Sequence, residues 1–370
     1  MTLSLFSQTL LDVLQCPRCH SRFFQRSETL QCEACDFASA ILSSNFVSVL
    51  RKDAAQAQSI LKWPREAIGS IEAELLASTG SSNGKPLSSD APHKLRSFGL
   101  LSSAGALTPL GALLRYNSLE YEWQKKYDVL EGALSLSQLG PAPRILDIGC
   151  GSGQTLRLLN IPDGAISIGI DDDLDALAYG SVLAHGSAPN LFCGASAHNL
   201  PIRDQSFDLV ICRGPINYCN QTECLKEAIR VLRPGGWLFC RVEQIWWDLN
   251  MLRAHGKSAG LLRDQNSVLS SLFALRNLGW GLLHELTGWQ PTPGGVFRGS
   301  RAFTSQRRIR RIVEPLGCRL VLFEDSRHGP QYRGHGTQAK VLCRREDDAA
   351  NARPAESQSA ARGMAVHAGG

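Results

Sequence analysis

The chain has 370 residues, of which 43% are hydrophobic and 20% charged, and its formal net charge at pH 7 is +5. These values are ordinary for a soluble globular protein, and the length suffices for a full α/β core with one or two small additions. The sequence has no run of 18 apolar residues and no signal-peptide pattern, so we expect no membrane span, membrane partner or secretory leader.

Two Cys-x-x-Cys pairs lie near the start of the chain. The first consists of Cys16 and Cys19 and the second of Cys32 and Cys35, and 12 residues separate them. A short hairpin over 21–30 would bring the four thiolates into a tetrahedron, and four thiolates at this spacing indicate structural zinc. Four free core cysteines are the alternative interpretation.

The segments that flank these pairs are residues 10–14 and 45–50. They are similar to the flanks of small zinc-ribbon domains of the Trm112 type, which are often fused to or partnered with methyltransferases. The resemblance implies a zinc-ribbon domain over 1–50. His20 and Asp36 depart from the family pattern, because they replace the glycine that usually follows each second cysteine. We interpret His20 as a surface residue.

Other cysteines bear on the redox compartment. Several fall in predicted core strands or in a glycine-rich turn, namely Cys150, Cys193, Cys212 and Cys240. Reduced thiols explain this placement more simply than disulfides do, so a cytoplasmic location is predicted.

The segment 51–107 is interpreted as a helix and a flexible linker. Residues 53–76 predict the helix, because Ala, Gln, Ile and Leu recur at helical spacing despite Pro64. Residues 78–92 are rich in Gly, Ser, Asn and Pro and predict the linker. Residues 110–136 then predict one or two helices, whose aromatic residues either line a substrate pocket or belong to the core. These aromatic residues are Tyr116, Tyr121, Trp123 and Tyr127.

An apolar strand, a glycine-rich turn and the start of a helix follow. Gly149, Gly151 and Gly153 alternate through the turn, which allows positive φ and lets backbone N–H groups approach a ligand closely. The last glycine of a dinucleotide fingerprint is missing, because Gln154 stands in its place. Asp147 would repel a pyrophosphate, whereas it suits a ligand with an ammonium group.

The pattern Asp-x-Gly-x-Gly-x-Gly resembles the first motif of class I S-adenosylmethionine-dependent methyltransferases, in particular type 11. Further motifs follow in the family's order: a strand over 165–170 that ends at Asp171, a loop and strand over 194–212, and a helix broken at 234–236 before another strand. The resemblance implies an α/β fold with a doubly wound, seven-stranded Rossmann-like sheet over 108–345, whose last strand is antiparallel.

The same resemblance implies S-adenosyl-L-methionine as the cofactor. Asp171 lies 22 residues beyond Gly149, close to the spacing at which an acid holds ribose hydroxyls in related folds. Ser196 stands where the family has an adenine-binding aspartate, and Arg213 would lie beside the sulfonium through its backbone. The implied cofactor-binding residues are Asp147, Gly149, Cys150, Gly151, Gly153, Asp171, Asp172, Ser196, Ala197 and Arg213.

Two residues are candidates for a catalytic base, which is needed only when the acceptor must lose a proton early. His198 lies in the predicted adenine loop, where an exposed histidine without a catalytic role is the alternative. Tyr218 follows the fourth core strand, where acceptor-facing residues lie in the resembled family.

An insertion over 244–304 separates the fifth core strand from the end of the domain. It is interpreted either as a substrate cap or as helical packing. A helix over 305–316, strands near 318–324 and 338–344, and a disordered tail over 346–370 complete the prediction. The aromatic residues of the insertion are Trp246, Trp247, Phe273, Trp280, Trp289 and Phe297.

The sequence therefore predicts an enzyme that methylates a small, partly apolar metabolite. The alternative is an RNA base methyltransferase with the ribbon as recognition module. It is suggested by the excess of basic residues between Arg298 and Arg345, where 12 Arg or Lys occur with three acidic residues. The loop over 196–201 also resembles that of bacterial rRNA guanine methyltransferases. A donor-binding scaffold without activity is a third interpretation. Loss of the metal is expected to leave donor binding mostly intact, and the oligomeric state is not predicted.

Overall fold

The computed structural model describes residues 8–77, 91–126, 129–184, 191–245, 249, 265–289, 303–325 and 338–346. Several predictions lie outside the described residues: most of the linker, Tyr127, three stretches of the insertion and the tail beyond Glu346. Within the described part of the chain, no helix combines the length and apolarity that crossing a bilayer requires.

One mixed sheet organises the described residues. Its strands are β1 (Phe23–Arg26), β2 (Thr29–Cys32), β3 (Ala38–Ser43), β4 (Phe46–Ser48), β5 (Arg144–Ile148), β6 (Ile166–Asp171), β7 (Leu191–Gly194), β8 (Phe207–Cys212), β9 (Leu232–Glu243), β10 (Cys318–Asp325) and β11 (Gln338–Arg345). They lie in the order β1-β2-β3-β4-β7-β6-β5-β8-β9-β11-β10.

The last seven strands of this order form the predicted seven-stranded sheet. From β7 to β9 all neighbours are parallel, whereas β11 is antiparallel to both β9 and β10. Each face of β5 is buried: Ile145 packs in one apolar cluster with Leu209, and Leu146 and Ile148 pack in another with Val210. Burial on both faces explains the nearly continuous apolar sequence of the parallel strands and confirms the predicted fold class.

Helices cover both faces of the sheet. They are α1 (Gln8–Leu11), α2 (Ala55–Ile60), α3 (Arg65–Ala77), α4 (Ala91–Ser97), α5 (Pro109–Gln124), α6 (Gln154–Leu158), α7 (Leu174–Leu183), α8 (Gln221–Val231), α9 (Gln265–Thr287) and α10 (Gln306–Val313). The α10 helix begins after the N-cap residue Ser305 and, with β10 and β11, confirms the elements predicted near the end of the domain.

The predicted helix over 53–76 was wrong as a single element. It is two helices, α2 and α3, which Pro64 separates, because proline lacks the N–H of a helical hydrogen bond and disfavours helical backbone at the preceding residue. The predicted linker was also too long at its C-terminal end. Ala91 begins α4, and Leu95 and Leu100 are buried against the helices on this face of the sheet.

The cysteine-rich segment extends the sheet beyond its seven central strands. β1 to β4 form an antiparallel ribbon, and β4 then pairs in parallel with β7. The apolar core is also continuous here, because Leu14 and Phe23 belong to the same buried cluster as Leu200 and Ile202. The domain boundary at residue 50 stays a prediction, but backbone hydrogen bonds and buried contacts cross it.

Candidate functional site

A cleft of about 1040 Å³ opens at the carboxyl ends of the parallel strands. It lies where the chain reverses its direction through the sheet, between β5 and β8, which is where open α/β sheets bind ligands. Gly153 does not line it but is the N-cap residue of α6, with φ 75°. The predicted residues that line it are Asp147, Gly149, Cys150, Gly151, Asp171, Asp172, Ser196, Ala197, His198, Arg213 and Tyr218.

The glycines of the turn are required by geometry. Gly149 and Gly151 have φ values of 68° and 55°, in the left-handed region that residues with a Cβ rarely adopt. A Cβ on Gly149 would lie 2.0 Å from Cγ of Pro215, and one on Gly151 would lie 2.6 Å from Oδ1 of Asn117. Neither of these two glycine positions therefore has room for a Cβ atom beside the cleft.

Asp147 is a buried carboxyl group without a neutralising partner. Its side chain is 2% exposed, and no described group donates a hydrogen bond to its Oδ2 atom. Burial raises the pKa of Asp147 to about 8, although the positive charge of Arg213 opposes the shift. Because an unpaired buried carboxylate is unfavourable, this site favours a cationic ligand group.

Asp171 shapes the glycine turn as well as lining the cleft. Its Oδ2 accepts the Gly151 N–H at 2.8 Å and its Oδ1 accepts the Asp173 N–H at 2.9 Å. Burial raises the pKa of Asp171 to about 6. By contrast, the Asp172 side chain is 72% exposed and its carboxylate lies 3.5 Å from Nζ of Lys52.

The two candidate bases occupy different environments. His198 Nε2 accepts the Asn220 N–H at 3.0 Å, so the ring proton lies on Nδ1, which is 3.4 Å from Oγ of Ser196. Ser196 Oγ also accepts the His198 N–H at 3.2 Å. Because both ring nitrogens are engaged, this geometry favours a positioning role for His198. Tyr218 lines the cleft with a side chain that is 48% exposed.

Two residues of α5 that the sequence analysis missed form hydrogen bonds with the glycine turn and the start of α6. Oδ1 of Asn117 accepts the Ser152 N–H at 3.1 Å and a second bond from Nε2 of Gln154 at 2.5 Å. Two helical turns further along the same face of α5, Oε1 of Gln124 accepts the Thr155 hydroxyl at 3.1 Å. The sequence feature that could have identified them is a pair of amide side chains two helical turns apart, on the helix face that also presents Tyr116 and Trp123 to the cleft.

We expect Asn117→Leu to lower donor affinity about tenfold, because it leaves the buried Ser152 N–H without an acceptor. Isothermal titration calorimetry with S-adenosylmethionine would measure the loss. Ser118→Ala is the matched control, since the Ser118 hydroxyl donates to the Leu114 carbonyl of its own helix. Equal affinities of the two variants would show that the Asn117 amide does not hold the turn.

The aromatic residues of α5 are divided between the cleft and the core. Trp123 lies on the cleft wall with two guanidinium groups near its ring, those of Arg213 and Arg241, at 5.9 and 5.4 Å from the ring centre. Glu131 Oε1 lies 2.9 Å from Nη1 of Arg241 and 3.7 Å from Nη2 of Arg213. Tyr121 instead packs under the Arg157 guanidinium at 4.2 Å. The Arg213 charge is thus paired within the wall, which supports the expectation that only its backbone faces a ligand.

The four cysteines of the ribbon fit a tetrahedral metal site. Their sulfur atoms all lie within 4.8 Å of one another, and three of the separations are 3.4 Å (Cys19–Cys32), 3.5 Å (Cys19–Cys35) and 3.7 Å (Cys16–Cys35). A tetrahedron with Zn–S bonds of about 2.3 Å has edges of about 3.8 Å. Backbone N–H groups two residues after Cys16 and Cys32 point at their sulfur atoms at 3.4 Å.

Comparison with known proteins agrees with this geometry. Residues 146–240, which include the glycine turn, the predicted adenine loop and strands β6 to β8, match the family described as "Methyltransferase domain". The chain contains a class I methyltransferase domain. Its predicted assignment to this class is confirmed for these residues.

Relatives of the methyltransferase domain differ in what they methylate. A malonyl-[acyl-carrier protein] O-methyltransferase from Marinomonas sp. is 34% identical over 112 residues, which cover 30% of this chain and 42% of that protein. A ubiquinone/menaquinone biosynthesis C-methyltransferase from Ectopseudomonas mendocina is 33% identical over 138 residues, covering 33% of this chain and 54% of that protein. The chain thus spans about half the length of these curated relatives.

Solved structures include a complex between the Haloferax volcanii Trm112 methyltransferase activator and a protein described as a methyltransferase. That similarity has a TM-score of 0.40 and 16% identity, and it covers 62% of this chain and 92% of that chain.

Proposed function

We propose that the protein is an S-adenosylmethionine-dependent methyltransferase that acts on a small, partly apolar metabolite. The observation that carries the proposal is the buried Asp147 carboxyl group, whose Oδ2 has no described partner. It lies beside a turn in which Gly149 and Gly151 have no room for a Cβ atom. A ligand with an ammonium group neutralises such a carboxylate, whereas a pyrophosphate adds a second negative charge.

In this proposal the residues of the cleft bind and orient the donor. Asp147 holds the ammonium group, Asp171 the ribose hydroxyls, and Ser196 and Ala197 the adenine edge. When bound, S-adenosylmethionine supplies a methyl group on a positively charged sulfur. The protein then contributes mainly position and exclusion of water, since this displacement needs the acceptor in line with the methyl group.

Aromatic side chains on the cleft wall support a small, partly apolar acceptor. Tyr116 and Trp123 from α5 face the cleft together with Tyr218, and rings of this kind bind apolar or aromatic groups well. Tyr218 is the remaining candidate to accept a proton from the acceptor, because it lines the cleft and His198 Nε2 already accepts a hydrogen bond.

The basic stretch gives less support to RNA than its sequence suggested. Among its described residues, Arg310 pairs with Glu314 and Lys340 with Glu324, whereas Arg307 and Arg311 are exposed without a described ion-pair partner. Others bind carbonyl groups or an aromatic ring: Arg308, Arg344 and Arg345. Charges that already have partners contribute less to phosphate binding. We also propose that Cys16, Cys19, Cys32 and Cys35 hold a structural zinc ion, which stabilises the ribbon.

Calorimetry with S-adenosylmethionine, with NADH as a competitor, tests the donor site. We expect binding of the first only, and loss of binding in Gly149→Ala, because the added Cβ would clash with Pro215. Gly164→Ala is the matched control: its φ is also positive, at 83°, but its Cβ would meet nothing within 4 Å. Unchanged affinity in Gly149→Ala, or occupancy by NADH, would overturn the proposal.

A methyl-transfer assay tests the acceptor class. Radiolabelled donor is incubated with the protein and either a small-molecule extract or total RNA. We expect label in the small-molecule fraction. Label in RNA, with affinity that falls steeply as salt rises, would favour the RNA alternative.

A further inference from the structure

The α9 helix buries one face against the protein and exposes large apolar side chains on the opposite face. One face is packed against the protein, where Asn277, Gly281 and His284 are buried and Nε2 of His284 lies 2.9 Å from Oε1 of Gln221 on α8. The opposite face carries large exposed apolar side chains, which we call the apolar ridge. Its members are Leu272, Leu275, Leu282, Leu286 and Trp289.

The apolar ridge is continuous along the helix. Its four leucines, with Gly279 between them, are spaced alternately by three and four positions, which places them in one row along α9. Trp289 follows just beyond the end of the helix at Thr287. Each side chain is between 46% and 81% exposed. A contiguous exposed apolar row marks a binding surface, whereas scattered exposed leucines do not.

Positive charge lies next to one end of the apolar ridge. The first turn of α10 is bound to the last turns of α9: Ser305 donates its N–H and its hydroxyl to Glu285 at 2.7 and 2.6 Å, and Arg308 donates to the Gly288 carbonyl at 3.4 Å. Arg307 and Arg311 are exposed on α10, and no described residue forms an ion pair with either of them.

We propose that the apolar ridge and the α10 arginines dock the protein onto the surface of an anionic lipid bilayer. Leucines on one face of a helix enter the boundary between headgroups and acyl chains, and neighbouring arginines attract the anionic headgroups. Trp289 at the C-terminal end of the ridge suits the interface, where tryptophan is enriched.

A second copy of this chain fits the surface less well. The ridge offers five side chains, whereas a stable protein interface uses about 20–30 residues from each partner. Such pairing would also leave Arg307 and Arg311 without anionic partners. Lipid docking gives a partner both to the apolar ridge and to the two arginines. The proposed contact is with the membrane surface, since no described helix is suited to span a membrane.

This docking is independent of methyl transfer, but it has a consequence for the acceptor. A protein held at a bilayer surface meets molecules that partition into the lipid. The proposal therefore extends the expectation of a partly apolar acceptor, and it revises the prediction that the protein has no membrane partner.

Vesicle flotation of the full chain tests the docking. Two vesicle types are compared, phosphatidylcholine alone and phosphatidylcholine with phosphatidylglycerol. We expect binding to the anionic vesicles only. The double variant Leu282→Glu/Leu286→Glu should bind them at least about tenfold more weakly, because charged groups cannot enter the apolar layer. Arg307→Gln and Arg311→Gln should each weaken binding about fivefold.

Phe24→Glu is the matched control, because Phe24 is an exposed apolar residue on the ribbon strand β1. It should leave vesicle binding unchanged, and all variants should keep the wild-type affinity for S-adenosylmethionine, which shows that they are folded. Equal vesicle binding by wild type and the Leu282→Glu/Leu286→Glu variant would overturn the proposal. So would a dimer in sedimentation velocity that this variant dissociates, since a second copy would then cover the ridge.

Discussion

Replacing Asp147 by asparagine is expected to lower the affinity for S-adenosylmethionine at least about 100-fold, because a buried ion pair that loses one partner is destabilised by about 3–5 kcal/mol. The same change should raise the melting temperature of the ligand-free protein at pH 7. Asparagine keeps the shape of the side chain while it removes a carboxyl group that burial penalises.

The raised pKa of Asp147 determines how the free energy of unfolding changes with pH. The pKa of Asp147 is about 8 in the folded protein, against an ordinary value of 3.8. Between these values the unfolded chain loses the proton while the folded protein keeps it. The free energy of unfolding therefore falls as pH rises through this window, by up to about 1.4 kcal/mol per pH unit. The stability advantage of Asp147→Asn should grow from pH 4 to pH 8.

Donor affinity should show the opposite trend in the wild-type protein. Only the ionised carboxyl group attracts an ammonium group, so the affinity should rise as pH approaches 8 and the variant should lack this rise. Calorimetry and thermal melting across this range test both trends. Asp163→Asn is the control, because it removes the same charge from an exposed turn. A variant that binds the donor as tightly as wild type would exclude Asp147 as the ammonium partner.

Much of the donor cleft could be predicted because its determinants are local in sequence. The buried strands β5 and β6 carry apolar runs, and the turn between β5 and α6 needs glycine at Gly149 and Gly151 for reasons of backbone geometry alone. The roles of Asn117 and Gln124 are different. They depend on where α5 packs over the turn, and the bond from Ser152 to Asn117 joins residues 35 positions apart.

The position of the ribbon at the edge of the sheet could not be predicted from local sequence patterns either. β4 is three residues long, and its pairing with β7 joins Val47 to Cys193, a register that nothing in either segment specifies. The structure also explains how His20 can replace the glycine that usually follows the first cysteine pair. His20 takes the φ value of 60° that glycine usually provides, and its Nδ1 lies 3.0 Å from Nε2 of Gln15, which compensates for the unfavourable backbone.

The cysteine-rich segment is bound directly to the loop that would hold adenine. The Gln15 N–H donates to the Pro201 carbonyl at 3.0 Å, and the Arg203 N–H donates to the Val13 carbonyl at 2.9 Å. The Asn199 amide donates to the carbonyl of Pro17, inside the first cysteine pair, at 3.0 Å. The expectation that metal loss leaves donor binding mostly intact therefore changes, because the structure of this segment and that of the loop depend on each other.

Removing the proposed zinc ion is expected to lower donor affinity about tenfold or more, since structural zinc supplies the folding free energy of small ribbons. Cys19→Ser and treatment with a zinc chelator should act alike, because Cys19 is exposed and its sulfur lies 3.4 Å from that of Cys32 and 3.5 Å from that of Cys35. Hydrogen exchange should also quicken at the Gln15 and Arg203 amides. Arg26→Gln at the hairpin turn is the control, because its exposed side chain holds none of these bonds. If metal loss left both the exchange rates and the donor affinity unchanged, the ribbon would not support the loop.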